Sequence, residues 1–182
     1  MENNITSYSV KQGLIFGLVN IVLTMIIYFL GADFFASHFF MIPALLVLIA
    51  LVYPTVITFQ ARKINNGLLS YKDAYRISFF MLLISGLIAA VFGILLYHVI
   101  DPEYPKQVLE KMIANITEYM ASAGLSEEQI DAKLDKKDMA EKFTLMGQVK
   151  SFLFSIIFYA VISLLVAAIA RKKEETPFNN QI

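Results

Sequence analysis

The chain has 182 residues, 58% of them hydrophobic and only 16% charged, and its 15 basic and 15 acidic side chains cancel. Soluble domains are roughly 45–50% apolar, so this excess, with a mean hydropathy of +0.64, argues against a water-soluble domain, and the zero net charge carries no nucleic-acid signature. Cysteine is absent, which excludes disulfides, thiol catalysis and cysteine-ligated metals.

The amino-terminal stretch MENNITSYSVKQ is polar, without a basic cluster. The apolar run behind it is too long for a signal-peptide core, so the first span is expected to be uncleaved. Four runs lack Asp, Glu, Lys and Arg, at 13–32, 39–59, 77–100 and 151–170. Each reaches the roughly 20 residues that cross a hydrocarbon core as a helix. In lipid the backbone must satisfy its own hydrogen bonds, which makes these runs helical. A helix of a soluble bundle would carry a charged face, and these carry none. The expected fold is a single all-α domain, a four-helix transmembrane bundle with a helical extramembrane insertion between spans three and four.

In span one, Gly13, Gly17, Asn20 and Thr24 step by four, three and four and share one face. Small residues admit a second helix, and an asparagine can hydrogen-bond across the contact. Asn20 is the candidate polar contact between copies. A short loop, Asp33 to His38, leads to span two, where Pro43 suits a first turn. Pro54 removes a donor and is expected to bend the helix at the carbonyl of Ala50.

A basic loop follows, with Arg62, Lys63, Lys72 and Arg76. Within it, Ser70-Tyr71-Lys72-Asp73 fits a capping box, and Gly67 permits a turn with positive φ, so a helix is expected to begin near Tyr71 and run on as span three. Lys72 and Arg76 lie four apart at headgroup depth, with Tyr71 and Tyr75 suited to the interface. The plain reading of the stretch is a water-to-lipid boundary. The sharper one makes Lys72 and Arg76 a contact for an anionic headgroup or a partner's acidic group.

With its Arg/Lys cluster, Asn-Gly turn and GLLSYKDAYR opening the third of four spans, the chain resembles the DUF4199 family of small bacterial inner-membrane proteins of unknown function. The resemblance runs from roughly Tyr8 to Arg171. It implies a four-span bacterial inner-membrane protein and supplies no activity, cofactor or catalytic residue.

Span three offers two small-residue pairs, Gly86 with Ala90 and Ala89 with Gly93; span four offers Ser163 with Ala167. No span carries Asp, Glu, Lys or Arg in its core, and those are the usual marks of proton relays and ion-coupled transport.

The segment 101–150 is expected to be an amphipathic helical loop on the outer side. Val108, Met112, Ile116, Tyr119 and Ala123 recur at helical spacing, with Gly124 as a stop. Ser126 with Gln129 fits a second capping box, and Asp138 with Glu141 a third. The third is expected to start a helix at Met139 continuous with span four. His38, Asp33, His98 and Asp101 cluster in sequence terms at this side, but no pair has helical metal-site spacing.

The lysine and arginine bias of the short loops, with Lys11 at one end and Arg171, Lys172 and Lys173 at the other, places both termini in the cytoplasm. The seven lysines of the long loop run against that rule. No glycine-rich phosphate loop, zinc-protease motif or Ser/His/Asp arrangement is present, so no catalytic, cofactor-binding or metal-binding residue is assigned and no cofactor is expected. The leading expectation is a non-enzymatic assembly or interaction protein whose partners are the bilayer, a second copy or another membrane protein, with no nucleic acid. The candidate packing residues are Gly13, Gly17, Asn20, Gly86 and Ala90. The alternative is a small pore or transporter accessory subunit for an uncharged or amphipathic solute. A lipid-acting enzyme using His98 or Asp101 is the least favoured.

Overall fold

The computed structural model describes residues 2–172, with side chains from Ile5 onward; the Lys173 of the carboxy-terminal basic cluster lies outside the described residues. Helices α1 (Glu2–Leu30), α3 (Met41–Ile64), α4 (Tyr71–Leu95) and α8 (Leu145–Ala170) form the bundle. Four stretches are long and apolar enough to cross a bilayer: Ile5–Leu30, Met41–Ile64, Tyr71–Ile100 and Leu145–Ala170. The protein is a multi-pass, all-α membrane protein.

Helix α1 starts at Glu2, about three turns ahead of the charge-free run. A lysine ends such a run without ending the helix, because its stem can lie along the bundle while its ammonium reaches water. Gly13 faces Ile84 and Gly17 faces Ile88, so α1 and α4 run in the same direction. Tyr8 donates to the Ile57 carbonyl at 3.4 Å, Tyr53 to Gln12 Oε1 at 3.4 Å, and the Phe16 and Tyr53 rings stack at 4.4 Å. These contacts set α3 antiparallel to α1. Tyr159 of α8 sits against Gly86, and α8 runs antiparallel to α4.

The core is filled by Phe16, Ile77, Met81, Leu82 and Val166, all nearly inaccessible. The buried Ser163 hydroxyl has no partner among the described residues, while four other buried hydroxyls bond backwards along their own helices: Ser9 to Ile5, Thr58 to Pro54, Ser78 to Ala74 and Ser85 to Leu82. That is how a polar group survives where water is absent. Pro54 is buried within a continuous α3, where the Thr55 hydroxyl donates to the Leu51 carbonyl at 2.7 Å. Pro43 lies in the first turn of α3.

The ends of the bundle differ. The start of α1, the end of α3, the start of α4 and the end of α8 meet at one end, called basal here. Helices α2 (Ala32–Ser37), α5 (Tyr104–Ser122), α6 (Glu127–Lys133) and α7 (Lys136–Glu141) form a cap at the other.

Three expectations need correction. The segment 33–38 is not a loop but mostly the helix Ala32–Ser37, which His38 caps: Gly31, at φ 91°, ends α1, and Ala32 and Ala36 are then buried against Tyr104, Val108 and Met112. No helix runs from Met139 into span four. The actual cap is Asp135, whose carboxylate accepts from the Asp138 N–H at 2.8 Å, and α7 stops at Glu141. Thr144 then starts α8 by accepting from the Gly147 N–H at 3.0 Å. The chain folds back so closely that a Cβ on Gly147 would overlap the Glu141 carbonyl. Finally, the Ser70 box is only half formed. Ser70 Oγ accepts from the Asp73 N–H at 3.1 Å, while the Asp73 carboxylate accepts from the Ser70 hydroxyl at 2.6 Å instead of from the backbone. Aspartate is one methylene shorter than the usual glutamate. At Ser126 the longer Gln129 completes the box.

Candidate functional site

At the basal end, α8 finishes against the α3–α4 connection. The Arg62 guanidinium donates to the Ala170 carbonyl at 3.2 Å, one of the carbonyls a helix end leaves unpaired. Leu69 and Lys172 exchange backbone hydrogen bonds at 2.9 Å each. Arg171 lies 6.0 Å over the Tyr71 ring. Beneath this clasp, Leu69, Ala74, Ile77 and Ala167 form a buried cluster, with Ile5, Tyr8, Ala61 and Tyr75 packed on it.

Beside the cluster is a cavity of about 460 Å³, lined by α1, the end of α3 and the start of α4. Its apolar wall is Ile5, Ala61, Ile64, Leu69 and Ile77; its polar groups are Ser7, Lys11, Asn65 and Asp73. A concave apolar pocket with a few polar groups is the usual form of a small-molecule or lipid site. Lys11 is exposed and has no hydrogen bond or ion pair among the described residues. Asn65 turns its amide to the Leu68 carbonyl at 2.8 Å.

The basal rim is cationic, with Lys11, Arg62, Lys63, Lys72, Arg76, Arg171 and Lys172. Lys72 is exposed and Arg76 half-buried; neither lines the cavity. The residues that do, Lys11 and Asp73, are 62 positions apart, and nothing in the sequence brings them together.

At the cap, α5 buries Tyr104, Val108 and Met112 on α2. The Lys111 ammonium meets the Asp33 carboxylate at 2.8 Å, and that hydrogen bond and charge hold the lysine's pKa above its ordinary value. Asp101 caps α5, accepting from the N–H groups of Tyr104 at 3.0 Å and Glu103 at 3.2 Å and from the Tyr28 hydroxyl at 3.0 Å. Burial, with Tyr97, Tyr28 and Asp101 close by, pushes the Tyr104 phenol up to about 12. A π-helical turn, Leu96–Ile100, delivers Asp101 to this place.

The four candidate ligands near the cap each have another partner. Asp33 pairs with Lys111; His38 bonds the Phe34 carbonyl at 2.9 Å and stacks on its ring. His98 Nε2 lies 3.0 Å from the Gln148 amide nitrogen, and Asp101 caps α5. Among the described residues no three His, Asp or Glu side chains gather in a way that would hold a metal ion.

Because α2 is six residues long and α5 nineteen, the apolar stripe of α5 outruns its cover. Past Met112 it borders an open groove of about 880 Å³ with Phe39, Phe40, Ile116, Tyr119 and Met120. Phe40 is 80% and Tyr119 75% exposed.

Residues 11–172 match a family described as proteins of unknown function, DUF4199. The chain belongs to that family. The DUF4199 match takes in the first span from Lys11 onward, the other three spans, the cap and the basal clasp from Arg62 to Lys172. No curated protein and no solved structure matches the chain.

Of the small-residue positions, Gly13 and Gly17 meet α4, and Gly86 meets Tyr159 of α8. Asn20 is half-buried; its carbonyl accepts from the Thr24 hydroxyl at 2.8 Å, and its side-chain amide has no partner among the described residues. Ala90 is half-buried on α4.

Proposed function

We propose that this member of the DUF4199 family is a non-enzymatic interaction protein of the bacterial inner membrane, with both termini cytoplasmic, which engages another membrane protein through the cap groove. The observation that carries this reading is the exposed half of α5. Ile116, Tyr119 and Met120, with Phe40 opposite, make an aromatic and methionine-bearing groove that no part of the described chain covers. Interfaces are enriched in these side chains, and groove-bound helices use them as anchors.

The basic basal rim supports the cytoplasmic placement of the termini. Direct packing at Gly13, Gly17 and Gly86 fills the interior of one copy with side chains, which favours interaction over a solute path. The test is photocrosslinking in cells from position 119, with position 87, on the exposed side of α4, as control. A discrete protein adduct at 119 that Phe40→Asp removes is the expected result. Labelling of lipid alone from position 119 overturns the reading.

A further inference from the structure

The basal cavity has a chemistry of its own, independent of the cap groove. It lies where the spans meet the interface, beside Tyr8, Tyr71 and Tyr75, at the level where tyrosines and lysines anchor a protein among headgroups. Its wall is aliphatic and its rim carries one cation and one anion from different helices, Lys11 on α1 and Asp73 on α4. Among the described residues Lys11 has no ionic partner, and the Asp73 carboxylate accepts only from the neutral Ser70 hydroxyl. An anionic amphiphile would leave Asp73 facing like charge. A quaternary ammonium head would answer the carboxylate without hydrogen bonds.

We propose that this cavity seats a phospholipid with a primary-ammonium head. One acyl chain lies against Ile5, Ala61, Ile64 and Ile77, the phosphate is held by Lys11, and the ammonium donates to the Asp73 carboxylate. Each contact is a charge-assisted hydrogen bond, the stronger kind at a water-poor boundary. Asn65 and Ser7 add neutral polar groups at the same rim.

The experiment is native mass spectrometry of the full chain, released from detergent with equal amounts of phosphatidylethanolamine, phosphatidylcholine and phosphatidylglycerol. The expected result is preferential retention of phosphatidylethanolamine by about tenfold, the size of one charge-assisted bond. Lys11→Gln lowers retention of all three lipids. Asp73→Asn removes the preference for phosphatidylethanolamine over phosphatidylcholine. Ala61→Leu, which fills the wall from a half-exposed position, lowers retention of all three with an unchanged melting curve, and so reports even if Asp73→Asn disturbs the start of α4. Equal retention of the three lipids overturns the proposal, as does a preference that survives Asp73→Asn. So does competition by soluble phosphoethanolamine at the concentration of the lipid, since that would leave the acyl chain no part in binding.

Discussion

Gly17 of α1 faces Ile88 of α4 so closely that a Cβ added to the glycine would stand 2.6 Å from the isoleucine Cδ1 and 3.0 Å from its Cβ. One turn earlier, a Cβ on Gly13 would meet the Ile84 Cβ at 2.9 Å and the Met81 carbonyl oxygen at 3.0 Å. Backbone approach of this kind gives membrane helices their dispersion contacts where no hydrophobic driving force separates helix from lipid.

Gly17→Val is therefore expected to destabilise the bundle by about 1–3 kcal/mol, the usual cost of overpacking a closed contact. Gly31→Ala is instead a test of backbone strain, since nothing stands near that position but φ is 91°. Thermal unfolding in one detergent checks both, and a Gly17→Val protein as stable as wild type would show that α1 and α4 are less closely joined.

The cap is fixed by apolar packing more than by charge. Lys111 and Asp33 have half-exposed to exposed side chains, and such pairs contribute about 0–1 kcal/mol. Val108 is 1% exposed. Lys111→Ala should leave unfolding close to that of wild type, whereas Val108→Ala should cost about 1–3 kcal/mol. Protease resistance of the cap ranks the two variants.

Tyr104 sets an alkaline limit on the cap. Its phenol ionises at about 12 in the fold against 10.0 in the open chain. A raised pKa means the folded state holds the proton more tightly. The associated stability is complete below pH 10 and is lost as pH rises from there through 12. Absorbance of tyrosinate should show a component ionising near pH 12 that Tyr104→Phe removes, with cap stability falling across the same window.

Arg62→Ala removes the side chain that meets the Ala170 carbonyl at the end of α8. The expected loss is about 1–2 kcal/mol, a hydrogen bond from a charged group together with its favourable place at a helix C-terminus. Amide exchange should quicken at residues 167–172 while the cap keeps its protection. Equal exchange in variant and wild type would argue that the Leu69–Lys172 pairing holds the end alone.

What could be seen in the sequence was what has a period or a local partner. Uncharged runs identified four spans, Ser126 and Gln129 marked a helix start, and the Val108–Met112–Tyr119 spacing marked α5. Contacts between distant segments left no such trace. Lys11 and Asp73 share a rim only because α1 and α4 run side by side, and Asp101 reaches Tyr28 only after a π-helical turn. The segment 33–38 hid its helix because six residues are too few for a periodic pattern; burial against α5, a contact with no local signature, explains why Ala32 and Ala36 stand there. Charge-free runs also mark where charge stops, not where a helix does, so the first turns of α1 went unread.

The clasp at the basal end joins the connection after α3 to a residue 108 positions further along the chain. Arg62 and Leu69 must wait through the synthesis of α4, α5, α6, α7 and α8 before Ala170 and Lys172 arrive to meet them. A polypeptide cut short before its fourth crossing thus lacks the Ala167 that closes the seam over Leu69, Ala74 and Ile77.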